Sequence, residues 1–135
     1  MLTAEEAAAL HPAPAVTDSK ITRLRLLAQH TNPKIRESVA SNQHTPKDVY
    51  LALARDSDVG VRSCLARNEA VPCDILRLMA QDPSEQVRGW LAVNFFAPLD
   101  VMEQLANDPD STVRSLVDWK TELAQMADSE AAVSA

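Results

Sequence analysis

The chain has 135 residues, 46% apolar and only 4% aromatic, with eight prolines, two glycines and a formal net charge of −6. That length suits one domain, and so few glycines and aromatics argue against a β-sandwich or barrel, which needs turn residues and strand formers. The negative charge disfavours a general nucleic-acid binder, and no apolar run approaches the ~20 residues of a membrane span.

In chain order, residues 1–19 are expected to form an N-terminal cap helix and a linker. The start, Met-Leu-Thr-Ala-Glu-Glu, has no basic stretch and so does not resemble a secretory signal. Thr3 and Glu6 have the spacing of a capping box for a short helix over 4–10. His11-Pro12-Ala13-Pro14 then reads as an extended linker. Residues 20–127 form the expected helical repeat domain. It comprises a half repeat over 20–30 and repeats over about 31–52, 53–78, 79–104 and 105–127. Residues 128–135 are expected to be a disordered acidic tail.

The repeat is legible when the chain is written in rows of 26. Arg36, Arg62, Arg88 and Arg114 share a column, preceded by Ile35, Val61, Val87 and Val113 and followed by Val39, Leu65, Leu91 and Val117. Asn42, Asn68 and Asn94 share another. So do Pro46, Pro72 and Pro98, and Asp48, Asp74 and Asp100. Leu27, Leu53, Met79 and Leu105 are each followed by Ala. Asp56, Asp82 and Asp108 complete the pattern. Self-similarity at such a period signals an array of stacked units.

Each row predicts two helices. The first opens after Ser57-Asp58, Pro83-Ser84 or Pro109-Asp110, residues of N-caps and first turns. It ends near the Asn column, where asparagine tolerates a left-handed conformation or bonds to nearby backbone. The second begins at the proline, with Asp48, Asp74 or Asp100 facing the positive helix end. Helices of eight to ten residues, ~12–15 Å long, are marginal alone and depend on burying an apolar face against the next row. The fold class expected is therefore all-α. The arrangement expected is an α-solenoid of about four two-helix units.

The string Leu-Ala-x-Asp-Pro-x-x-x-Val-Arg-x-x-Leu-Ala-x-Asn, present at 79–94 with Met79 for the first Leu, resembles the leucine-rich repeat variant family. The Pro-x-Asp-Ile-Leu segment at 72–76 is similar too. The resemblance covers about residues 20–119 and is uninformative about activity. It implies a right-handed superhelix, HEAT/armadillo-like, in which an α-helix alternates with a shorter and often 3₁₀ helix. The six-residue spacing from Asp56 to Arg62, Asp82 to Arg88 and Asp108 to Arg114 is similar to the ladder of HEAT repeats. Some members carry a cysteine-rich iron–sulfur segment at the N-terminus. This chain has no cysteine before Cys64, so that cofactor is not carried over. His30 stands where later rows have Asp, which leaves the ladder incomplete there.

The repeated residues read as a structural ladder: Arg36, Arg62, Arg88 and Arg114 with Asp56, Asp82 and Asp108, and the turn residues Asn42, Asn68 and Asn94. Each guanidinium is expected to fork to an Asp of its own or a neighbouring row. The alternative is a row of cations gripping phosphates or carboxylates. No Ser/His/Asp constellation and no glycine-rich phosphate loop is present, so no catalytic residue is expected and the chain is not read as an enzyme. Cys64 reads as a small packed hydrophobe and Cys73 as partly exposed. With no Cys-x-x-Cys spacing and no signal, they point to a reduced, cytoplasmic protein with neither metal nor cofactor.

Two departures from the repeat carry the functional expectations. Trp90, Phe95, Phe96 and Trp119 occur only in the later rows. Trp90 and Trp119 are expected to cap the core, and Phe95 and Phe96 to be exposed. The charge is also uneven. Residues 20–47 hold six Lys/Arg against Glu37, whereas 100–135 hold eight Asp/Glu against Arg114 and Lys120. The leading expectation is a protein-interaction scaffold meeting a protein or peptide through Tyr50, Arg77, Glu103, Phe95 and Phe96. The alternative is nucleic-acid binding at the basic end through Lys20, Arg23, Arg25, Lys34 and Lys47. Self-association, basic end to acidic end, is a further partner expectation, and no membrane is expected.

Overall fold

The computed structural model describes Thr3, Ala4 and residues 17–134. The expected capping box, helix 4–10 and Pro-rich linker lie otherwise outside the described residues. Among the described residues the protein is all-helical, with no strand. The helices are α1 (Asp18–Leu27), α2 (Pro33–Ala40), α3 (Lys47–Leu53), α4 (Val59–Ala66), α5 (Cys73–Met79), α6 (Glu85–Ala92), α7 (Leu99–Ala106) and α8 (Ser111–Ser134).

Helix starts follow the capping rule. Asn32 and Ser84 accept the amides of Lys34 and Gln86, at 3.0 and 3.2 Å, and Asp58 and Asp110 accept those of Val61 and Val113, both at 3.1 Å. These caps stabilise α2, α6, α4 and α8 by occupying otherwise orphaned N–H groups. The shorter helices α3, α5 and α7 start directly after Pro46, Pro72 and Pro98, which hold extended dihedrals and supply no side-chain cap. All three are α-helical, not the 3₁₀ form that the resemblance implies for many members.

Packing runs in series. Helix α2 contacts α4, α4 contacts α6, and α6 contacts α8, while α3, α5 and α7 each contact the following α4, α6 or α8. The shared interior holds Val39, Val61, Leu65, Val87, Leu91 and Val113 from the first set and Val49, Ile75, Met79, Val101 and Leu105 from the second. Each is at most 6% exposed. Burial of a Val, Leu or Ile side chain contributes about 1.5–3 kcal/mol, so neighbouring rows stabilise helices too short to stand alone. Ala40, Ala66 and Ala92 are fully buried. Asp118, which replaces this alanine in α8, is exposed, since α8 is the last helix of the series.

Both glycines sit in helices with ordinary φ, so space and not backbone conformation explains them. A Cβ on Gly60 would lie 2.5 Å from Glu37 Oε1 and 2.9 Å from Asp58 Oδ1. A Cβ on Gly89 would meet only Leu116 Cδ1, at 3.3 Å.

The C-terminal segment differs from the expected tail. Helix α8 continues through 128 to Ser134. No proline or glycine interrupts 111–134, and its alanines favour helix.

Candidate functional site

Each internal arginine joins two rows. Arg36 Nε lies 2.8 Å from Asp56 Oδ2, Arg62 Nε 2.9 Å from Asp82 Oδ2, and Arg88 Nε 2.8 Å from Asp108 Oδ2. Nη2 of each donates to the second carboxylate oxygen, so the pairs are bidentate. Nη1 donates to the carbonyl six residues earlier: His30, Asp56, Asp82 and, for Arg114, Asp108. The carboxylate partner thus lies twenty residues ahead, in the next row, and the six-residue spacing supplies a carbonyl contact instead. The arginine side chains are 13–15% exposed and their aspartates 4–9%.

The aspartates also organise the turn before the next helix. Oδ1 of Asp56, Asp82 and Asp108 accepts the amide two residues on, in each case at 2.9 Å. His30 replaces the carboxylate and keeps this role, its Nδ1 accepting the Asn32 amide at 3.0 Å. Burial tends to raise the Asp56 carboxyl. The Arg36 hydrogen bond, the Asp58 amide and the charges of Arg36 and Arg62 outweigh it and hold the group below the usual carboxylate range.

The asparagines form a second line of links. Asn68 Nδ2 donates to the carbonyls of Ala40 and Asn42 at 2.9 and 3.1 Å, and Asn94 Nδ2 to those of Ala66 and Asn68 at 2.8 and 3.3 Å. Their Oδ1 atoms, and that of Asn42, accept the amide two residues later. No described residue outside glycine has positive φ, so these asparagines act through hydrogen bonds and not through a left-handed backbone. Lys120 occupies the next place in the column and donates to the Asn94 carbonyl. Burial lowers its pKa. Tyr50 donates to the Asn42 carbonyl.

Tyr50 corrects the expected partner surface, being only 3% exposed. Its column holds Leu24 and Leu76, both core residues. Arg25, Lys47 and Arg77 are exposed, and each pairs with an aspartate of the next short helix: Asp48, Asp74 and Asp100. Lys47 replaces the arginine that its row lacks, since Leu51 fills that column. These aspartates therefore do more than face a helix end, and their partners hold all three carboxyls below the ordinary range. Lys34 pairs with Glu37. Lys20, Arg23 and Glu103 are exposed and form no ion pair among the described residues.

The tryptophans and phenylalanines lie outside the core. Phe95 and Phe96 are 58% and 61% exposed, as expected, but Trp90 and Trp119 are 40% and 49% exposed instead of capping the interior. The Arg67 guanidinium lies over the Trp90 ring, 5.2 Å from its centre, and Lys120 Nζ lies 5.7 Å from that of Phe95. Cys64 is half-buried and packs against the core, and Cys73 is exposed. Phe96, Arg67 and Cys64 line an open polar cavity of about 430 Å³. A more apolar groove of about 490 Å³ lies between α6 and α8, flanked by Trp90. Among the described residues no group of three His, Cys, Asp or Glu could hold a metal ion, and no helix is long and apolar enough to cross a membrane. No protein-family model, curated protein or solved structure matches the chain.

Proposed function

We propose that the chain is a right-handed α-solenoid of about four two-helix units, similar to leucine-rich repeat variant and HEAT-like proteins, and that it serves as a non-catalytic scaffold for a protein or peptide partner. Links between equivalent positions of adjacent rows support the architecture. The exposed side chains of Trp90, Phe95, Phe96 and Trp119 carry the functional reading. Earlier rows place Cys64, Glu69, Ala70 and Arg67 at these positions, so the stacked interior does not require aromatics there. Tryptophan and phenylalanine are enriched at interfaces relative to the rest of a protein surface.

The test compares proteins crosslinked in cells by the wild type, by Phe95→Ser/Phe96→Ser, and by Leu26→Ser at the other end. A partner held by the wild type and the Leu26 control, and released by the double variant, is expected. Identical recovery by all three would count against the reading.

Nucleic-acid binding is the weaker alternative. Three of the five cations invoked for it, Arg25, Lys34 and Lys47, are already engaged by Asp48, Glu37 and Asp74. Lack of retention on DNA and RNA at about 20–50 mM salt, where electrostatic affinity is greatest, would eliminate it.

A further inference from the structure

We propose that the groove between α6 and α8 receives a lysine or arginine side chain from an extended, basic and apolar segment of the partner. The inference rests on the scaffold reading above and assigns the partner's chemistry.

The floor is apolar. Val93 and Leu116 are half-buried, and the indole of Trp90 borders the groove. Gly89 opens it. A mid-helix glycine weakens a helix relative to alanine, yet the equivalent places in other rows hold Glu37, Ser63 and Ser115. The Cβ that Gly89 lacks would face only the end of the flexible Leu116 side chain, at 3.3 Å. A side chain there would require Leu116 to give way, and the glycine leaves the recess between the helices open.

The rim is acidic. Glu85 and Asp110 both border the groove. Asp110 Oδ1 caps α8 through the Val113 amide. Glu85 is exposed and forms no ion pair among the described residues. No basic side chain lines the groove. Trp90 already holds the guanidinium of Arg67, from α4. Helix α6 contacts α4 on one side and α8 on the other, and the groove lies on the α8 side. An entering cation would meet a π-system and two carboxylates while its methylene stem covers the apolar floor. Arg88, held by Asp108 outside the groove lining, acts on both carboxylates through charge alone; a neutral apolar side chain would add nothing to them, and an acidic one would be repelled.

The chain carries its own reporters, since it has two glycines and two tryptophans. The full-length protein, labelled with ¹⁵N, is titrated with a synthetic peptide alternating Leu with Lys and Arg, and with sister peptides carrying Glu or Gln at the basic positions. The basic peptide is expected to move the Gly89 amide and the Trp90 indole N–H, and the Glu peptide to move neither. Glu85→Gln/Asp110→Asn keeps an oxygen for the Val113 amide and is expected to weaken the basic peptide about tenfold, with a shallower salt dependence. Equal shifts with the Glu peptide, or unmoved Gly89 and Trp90 signals at millimolar basic peptide, would overturn the proposal. A crosslinked partner released by Phe95→Ser/Phe96→Ser but held by the carboxylate variant at full strength would sink the groove alone. Selective basic-peptide shifts with no partner lost on removing the phenylalanines would keep the groove and sink the wider scaffold reading.

Discussion

Lys120 donates to the carbonyl of Asn94, as Asn94 donates to the carbonyl of Asn68 one row earlier. The last row thus completes a line of side-chain-to-backbone links with a different residue type. The ammonium is partly buried to do so, and burial lowers its pKa. A base with a depressed folded-state pKa binds fewer protons folded than unfolded. Its contribution to stability therefore rises with pH, from the folded value up to the unfolded one near 10.4. Lys120→Met removes both donor and titration. The stability difference between wild type and variant, read from urea unfolding, is expected to widen in favour of the wild type between pH 7 and pH 10.5. A gap independent of pH would refute the burial account.

Arg88 and Arg114 provide an internal comparison. Arg88 holds Asp108 through two bonds and the Asp82 carbonyl through a third. Arg114 is exposed, and its recorded bond is to the Asp108 carbonyl. Arg88→Ala is expected to cost about 2–3 kcal/mol, since it strands a buried carboxylate. Arg114→Ala should cost about 1 kcal/mol or less. Denaturant midpoints at constant slope decide the matter, and equal losses would mean that the inter-row fork contributes nothing special.

Asn68 and Asn42 should separate in the same way. Asn68 is 8% exposed and donates to two carbonyls of the preceding row while accepting the Ala70 amide. Asn42 is half-buried, and among the described residues its side chain accepts only the His44 amide. Asn68→Ala is expected to cost roughly 2 kcal/mol, because the buried Ala40 carbonyl loses its side-chain donor while the Asn42 carbonyl keeps Tyr50. Asn42→Ala should cost about 0.5–1 kcal/mol. A turn-only role for the whole column predicts equal values.

Acid should act through Asp56. Its folded-state carboxyl titrates below the unfolded one, despite burial, because Arg36 and the Asp58 amide favour the charged form. The resulting stability is fully present above the unfolded value near 3.9 and is lost as pH falls through the folded value. Asp48, Asp74 and Asp100 shift in the same direction. Asp56→Asn is expected to be less stable at pH 7 and to lose less on moving to pH 2.5. Circular dichroism across that range, with parallel curves for the two proteins, would show that the pair is not coupled to folding.

The columns of the sequence disclosed which residues recur, but not always what each one touches. Arginine and aspartate are six residues apart within a row and twenty apart between rows. Both distances suit a packed helix array, so spacing alone left the partner open, and the structure selects the longer one. Trp90 and Trp119 were expected in the interior because large apolar side chains favour burial. Their columns mix the exposed Ser38, Ser41 and Arg67 with the half-buried Cys64, Val93 and Leu116, so the column alone left their burial open. Tyr50 is the converse, a residue with a polar tip in a column of leucines. For Tyr50, position in the unit outweighs residue type. Lys120 breaks the asparagine column, yet its long donor reaches the equivalent carbonyl. The groove at Gly89 depends on how two helices separated in sequence face each other, which periodicity does not encode.

The carboxylate of Asp82 shows how such a chain can change length. One of its oxygens fixes the turn ahead of α6, and both receive Arg62 from the row before. A duplicated stretch that copied one complete unit would bring its own guanidinium and its own acceptor, and both new seams would close. A partial copy would leave one member of a largely buried pair without its partner.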